Sequence, residues 1–156
     1  MRVALFQPDI AANAAAAIRL CAGLDTPIAI IEPCGFVWDE RRLRRVGLDY
    51  LGQASLARFA SWSAFEAARQ AAGERLLLLS TRAEHAYHLV GYQPQDVLLV
   101  GRESAGAPPM VHSAATIRVR VPMAPGRRSL NVVTALAIVL GEALRQTGGL
   151  PERDWR

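Results

Sequence analysis

The chain has 156 residues, 51% hydrophobic and 21% charged, a balance that excludes a disordered tail or a fibre and leads us to expect one globular domain spanning 1–156. All 18 basic residues are arginine, there is no lysine, and 14 acidic residues leave a formal charge of +4 with a pI near 9.8. A basic chain whose cations are planar guanidinium forks suits an anionic partner, so nucleic acid is a candidate, although a GC-rich coding sequence also favours arginine over lysine.

The first ten residues, MRVALFQPDI, hold a short apolar run at 3–6 that reads as a strand. It meets a proline and an aspartate too soon for a signal peptide, and no apolar run approaches the roughly 18 residues of a membrane span, so a soluble cytoplasmic protein without a membrane association is expected. Residues 12–22 read as a helix with Asn13 near its start; the run of four alanines there reports helix propensity more than packing. A second strand is expected at 28–31. Cys21 and Cys34 stand in apolar stretches without Cys-x-x-Cys spacing, which points to core thiols rather than a disulfide framework or a zinc site.

Residues 40–46 read as a short arginine-rich helix, and 63–72 as another, capped by Ser61 or Ser63. Apolar runs at 76–79, 97–100 and 117–121, the last interrupted by Arg118 and Arg120, complete a set of strands expected to be covered on both faces. A long helix over 130–146 closes the chain, with Val133, Leu136, Ala137, Leu140 and Leu144 at steps of three and four, Arg145 near its end and Gly148-Gly149 as the stop. Alternating strands and helices give an α/β fold with a mostly parallel sheet of about five or six strands.

In such a sheet, ligands bind beyond the carboxyl ends of the strands. Three loops lie there: Ser80-Thr81-Arg82, the stretch Gly101-Arg102-Glu103-Ser104-Ala105-Gly106, and residues 122–129. The second fails as a hydrolase nucleophile elbow because Ser104 is mis-spaced from Gly101. It also lacks the Gly-Lys-Ser/Thr of a phosphate-binding loop and the Gly-x-Gly-x-x-Gly of a dinucleotide fingerprint, and otherwise reads as a tight turn. The third packs two prolines, a glycine and two arginines between a strand and a long helix. Ser129 and Asn131 fall at that helix start, either as a simple cap or as ligand contacts at exposed N–H groups.

Three separated segments share a resemblance. Gln7-Pro8-Asp9-Ile10 with Asn13 and Ile18-Arg19-Leu20, then 101–106, then Arg120-Val121-Pro122-Met123 through Arg128-Ser129-Leu130-Asn131, are similar to the motifs of the SPOUT methyltransferases. Ile31-Glu32-Pro33, Gly35-Phe36 and 43–50 further resemble the branch that methylates the wobble cytidine or uridine of tRNA. The resemblance implies a C-terminal deep trefoil knot, a rare exception to unthreaded chains, and a homodimer. It implies S-adenosylmethionine as cofactor, S-adenosylhomocysteine as product and no metal. The substrate it implies is the ribose 2′-hydroxyl of cytidine or carboxymethylaminomethyluridine at the wobble position of leucine tRNAs. Leu79, Gly101, Val121 and Ser129 are then expected to line the cofactor site, with Thr81 and Glu103 beside them. Asn13, Arg19, Ser129 and Asn131 are the expected catalytic residues. Where the family commonly shows Asn-Thr-Gly-Asn, this chain has Asn13-Ala14-Ala15-Ala16, a departure that motivates a rival reading as a non-catalytic RNA-binding protein on the same scaffold.

Since arginine is effectively always protonated, Arg19 is expected to hold a phosphate or the emerging oxyanion rather than abstract a proton. Arg41, Arg42, Arg44, Arg45, Arg127 and Arg128 are expected RNA contacts, giving salt-dependent and sequence-independent affinity; the first four also fit a solvated face paired with Asp39, Glu40 and Asp49. His85 and His88 have a spacing compatible with one helical face but no third ligand, and read as surface or capping residues. Trp38, Trp62 and Trp155 read as packing or dimer contacts.

Overall fold

A computed structural model describes residues 1–39 and 55–151. The expected helix at 40–46, with Arg41, Arg42, Arg44 and Arg45, and also Trp155, lie outside the described residues. Among the described residues, seven parallel strands form one sheet in the order β3-β2-β1-β6-β4-β7-β5. They are β1 (Arg2–Phe6), β2 (Ile28–Ile31), β3 (Leu56–Phe59), β4 (Arg75–Leu79), β5 (His85–Ala86), β6 (Asp96–Val100) and β7 (Ile117–Arg120). The described helices are α1 (Ala11–Gly23), α2 (Trp62–Ala71), α3 (Pro109–Ala114) and α4 (Val132–Thr147), with a 3-10 turn at Tyr87–Leu89. None of them is long and apolar enough to cross a membrane.

Successive side chains of a strand point to opposite faces, so the continuous apolar runs feed two cores at once. Val3, Leu5, Leu77 and Leu98 pack on one face with Ile18 and Cys21 of α1 and Leu136, Leu140 and Leu144 of α4. Ala4, Phe6, Leu76, Leu78 and Leu99 face the other way, against Phe65 of α2 and Val111 of α3. The alanine run is a packing feature, contrary to expectation: Ala14, Ala15 and Ala17 are at most 2% exposed, and with no bulk beyond Cβ they sit in the core that α1 and α4 share.

Two strands went unforeseen. β3 lies at the sheet edge and leaves Ala57 and Arg58 exposed, so it has no continuous apolar run; a charged edge strand is one way proteins discourage edge-to-edge pairing. β5 is two residues long, and it places His85 in a strand while His88 falls in the 3-10 turn, so they share no helical face. β7 ends at Arg120, leaving Val121 in the following loop. Ser61 caps α2 by accepting from the Ala64 N–H. The cap of α4 is Asn131 rather than Ser129, and Gly148 in the left-handed region (φ 67°) ends that helix. Cys21 is buried and Cys34 half-buried, both as free thiols.

At the amino end of β6, the fully buried Asp96 carboxylate accepts from Arg75 Nε at 2.7 Å and Nη2 at 2.8 Å, and from the Gln93 N–H at 2.7 Å. Removing the Asp96 carboxylate leaves the half-buried Arg75 guanidinium and the Gln93 N–H without their shared acceptor. Asp96→Ala should therefore lower unfolding free energy by about 3 kcal/mol in a denaturant titration, while ligand affinity at the far end of the sheet stays intact; a loss under ~1 kcal/mol would contradict the pairing.

Candidate functional site

The carboxyl ends of β4, β6 and β7 open onto a cavity of about 820 Å³, bounded also by the start of α1 and the start of α4. That volume lies in the range of small-molecule and cofactor sites. Its apolar wall comes from Ile10, Leu79, Val100, Val121 and Ala135, its polar wall from Asn13, Thr81, Glu103, Ser129 and Asn131.

Gly101 shapes the floor. A Cβ there would stand 2.5 Å from the Ala107 nitrogen and 2.5 Å from the Gly106 carbonyl carbon, a separation no side chain tolerates. The loop therefore doubles back on the strand end, with Arg102 N–H donating to Gly106 O at 3.1 Å and Gly106 N–H to Arg102 O at 2.8 Å. Gly106 takes φ 69° to complete the turn. The glycine-rich segment is thus both the tight turn and the cavity wall. The loop after β7 turns at residues 124–127, where Gly126 has φ 78° and Arg127 N–H donates to Ala124 O at 3.2 Å. Arg127, Arg128 and Ser129 are left exposed on the cavity rim.

A chain of polar contacts ties the three segments together. Glu103 Oε2 accepts from the Asp9 N–H at 2.7 Å, and Oε1 accepts from Asn13 Nδ2 at 3.1 Å. Asn13 Oδ1 in turn accepts from Asn131 Nδ2 at 3.2 Å. Asn131 Oδ1 accepts from the Val133 and Thr134 N–H groups at 2.9 and 3.3 Å, so the residue that contacts Asn13 also caps α4. The Asp9 side chain grips the loop on both sides of Glu103. Its Oδ2 accepts from Ser104 Oγ at 2.5 Å and Ser104 N–H at 3.0 Å, and its Oδ1 from Arg102 Nη2 at 2.9 Å.

Of the residues expected from sequence, Asn13, Leu79, Thr81, Gly101, Glu103 and Val121 line the cavity. Arg127, Arg128, Ser129 and Asn131 line it too. Arg19 does not. It is exposed on α1, about 9 Å further along the helix axis than Asn13 and roughly a third of a turn round it. Ala14, Ala15 and Ala16 also lie off this cavity, so the departure from the family pattern leaves its walls untouched. Asp9 was given no role from sequence, because its partners are 93 to 95 residues away. The only sequence signal was its place in the Gln7-Pro8-Asp9-Ile10 segment.

Hydrogen bonds from Ser104, then from Arg102, lower the Asp9 carboxyl from its ordinary 3.8 to about 2. A depressed carboxylate stabilises the fold fully above its unfolded value and loses that contribution as pH falls through the folded one. Acid titration should therefore show wild type losing stability between about pH 4 and pH 2 more steeply than Asp9→Asn, which has no such proton to take up. Parallel profiles for the two proteins would contradict the assignment.

Residues 1–141 match the model of the SpoU rRNA methylase family. A tRNA (cytidine(34)-2′-O)-methyltransferase of Beijerinckia indica subsp. indica is 52% identical over 148 residues, which are 95% of this chain and 92% of that one. Among solved structures, one concerned with 2-OH methylation of C/U34 on tRNA superposes with a TM-score of 0.87 at 34% identity, covering 93% of this chain and 94% of that one. An AdoMet-bound rRNA methyltransferase from Sinorhizobium meliloti gives a TM-score of 0.84 at 26% identity, covering 92% of this chain and 55% of that one. The chain belongs to the SpoU methylase family, within the SPOUT methyltransferases.

Proposed function

We propose that this protein transfers a methyl group from S-adenosylmethionine to the ribose 2′-hydroxyl of the wobble nucleotide, position 34, of tRNA. One observation carries the reading: segments after β1, after β6 and before α4, far apart in sequence, converge on a single cavity of cofactor size. They do so in a chain that matches, almost end to end, a relative named for this reaction.

The residues present fit the cofactor. The cavity offers apolar surface from Leu79, Val100 and Val121 to cover an adenine ring, and polar groups from Thr81, Glu103 and Ser129 for a ribose and an amino acid moiety. When bound, S-adenosylmethionine supplies a methyl group on a sulfonium, which departs as the neutral thioether of S-adenosylhomocysteine.

The protein's task is then mainly alignment, because an in-line attack needs the 2′-oxygen held at near-contact distance. Asn13 and Asn131, joined to one another on the cavity wall, and the exposed Ser129 at its rim are the groups that fix the target ribose. Arg19, permanently cationic and exposed on α1 beyond the cavity, offers an electrostatic hold on the phosphate adjoining the target ribose. Arg127 and Arg128, exposed on the cavity rim, offer cationic groups for RNA phosphates. We assign the same role to Arg41, Arg42, Arg44 and Arg45.

The reading extends to a single domain over 1–156 acting as a homodimer in the cytoplasm, and to a trefoil knot. Strand order supports the knot: β4 inserts between β6 and β7, and after β7 the chain returns across the sheet so that α4 packs on α1 and β6. Leucine tRNAs with cytidine or carboxymethylaminomethyluridine at position 34 are the proposed substrates.

Incubation with S-adenosylmethionine and bulk tRNA, followed by mass-spectrometric mapping, should place one 2′-O-methyl group at nucleotide 34. Arg19→Ala should lower transfer by about 100-fold or more while leaving calorimetric cofactor affinity unchanged. Cofactor and tRNA binding without any transfer would instead favour a non-catalytic scaffold, and near-normal transfer by Arg19→Ala would remove that residue from the mechanism.

A further inference from the structure

We infer that Asp9, which does not line the cavity, is a positioning residue that sets the pose of Glu103 and, through it, of Asn13 and Asn131; the inference rests on the methyltransferase reading above. Its geometry is that of a clamp. The side chain binds the residues on both sides of Glu103, taking Ser104 Oγ at 2.5 Å, Ser104 N–H at 3.0 Å and Arg102 Nη2 at 2.9 Å. Its main-chain N–H donates to Glu103 itself at 2.7 Å. Residues 102, 103 and 104 therefore all report to one residue in the loop between β1 and α1.

The clamp is held from behind as well. A Cβ on Gly35 would stand 2.9 Å from the Asp9 Cα and 3.0 Å from its Oδ1, and Gly35 N–H donates to Pro8 O at 2.9 Å. Asp9 thus has little room to move away from the loop. Glu103 has one oxygen on Asp9 and the other on Asn13, so a displaced Glu103 would release the Asn13 amide that orients the Asn131 contact. Groups that orient a reacting atom lose rate steeply with sub-ångström displacement, and their supporting partners carry that sensitivity at one remove.

Steady-state kinetics on Asp9→Ala should show kcat reduced by about 100-fold with KM for tRNA and for S-adenosylmethionine little changed. In a Glu103→Ala background the same substitution should cost nothing further, because the two act in series. Hydrogen exchange at the Ser104 amide, measured without ligand, should quicken in Asp9→Ala while core amides such as that of Leu98 stay protected. Wild-type kcat in a folded Asp9→Ala, or a full multiplicative loss in the double variant, overturns the inference. Should Asp9→Ala fail to fold, Ser104→Ala, which strips one donor from the same carboxylate, must give a smaller loss of kcat in the same sense. If wild type transfers no methyl to tRNA, the functional reading falls, and the exchange measurement alone decides whether Asp9 clamps the loop.

Discussion

The carboxylate of Glu103 accepts one hydrogen bond from the loop after β1 and another from the first turn of α1, at sequence separations of 94 and 90 residues. A third link, Asn13 to Asn131, spans 118 residues and reaches the cap of α4. Each bond contributes only about 1 kcal/mol net. Their value lies in what they connect: a loop, a helix start and a helix cap that no backbone ladder joins. Without that connection the cavity would be bounded by loops free to move independently, and a site built for alignment would lose its reference points.

Core and cavity divide the same elements between them. The central strands β1, β2, β4 and β6 bury apolar side chains on both faces, and the loops that bound the cavity depart from strand ends at Leu79, Val100 and Arg120. On α1, small residues sink into the contact with α4, leaving Asn13 at the cavity and Arg19 exposed further along the same helix. Asn131 serves both sides at once, with its oxygen on the helix backbone and its amide on Asn13. Stability and site geometry are therefore coupled at that residue, whereas the pair of half-buried Arg75 and buried Asp96 stands at the opposite end of the sheet, away from the cavity.

Much of this was legible in the sequence, and what was not has physical reasons. Strands β1, β2, β4 and β6 announce themselves because burial on both faces demands unbroken apolar runs, whereas β7 alternates Ile117 and Val119 with Arg118 and Arg120. Among the described residues β3 has one edge without a partner strand, and Arg58 interrupts its apolar run. The cavity residues in the three loops were found by motif and by their place after strand ends. Asp9 was not, since a clamp made with Arg102 and Ser104 exists only once β1 and β6 are paired side by side. The packing of the alanines after Asn13 is hidden from the sequence for the same reason: composition records their helix propensity, while their place in the core depends on α4, more than a hundred residues later.

The account centres on a cavity whose floor requires the close return of the chain at Gly101. Calorimetric titration of S-adenosylmethionine into wild type and Gly101→Ala tests it most directly, since the added Cβ would meet the Ala107 nitrogen at 2.5 Å and force the loop outward. Saturable binding by wild type and loss of binding in the folded variant is the predicted result. No binding by wild type, or equal affinity in the two proteins, would contradict it.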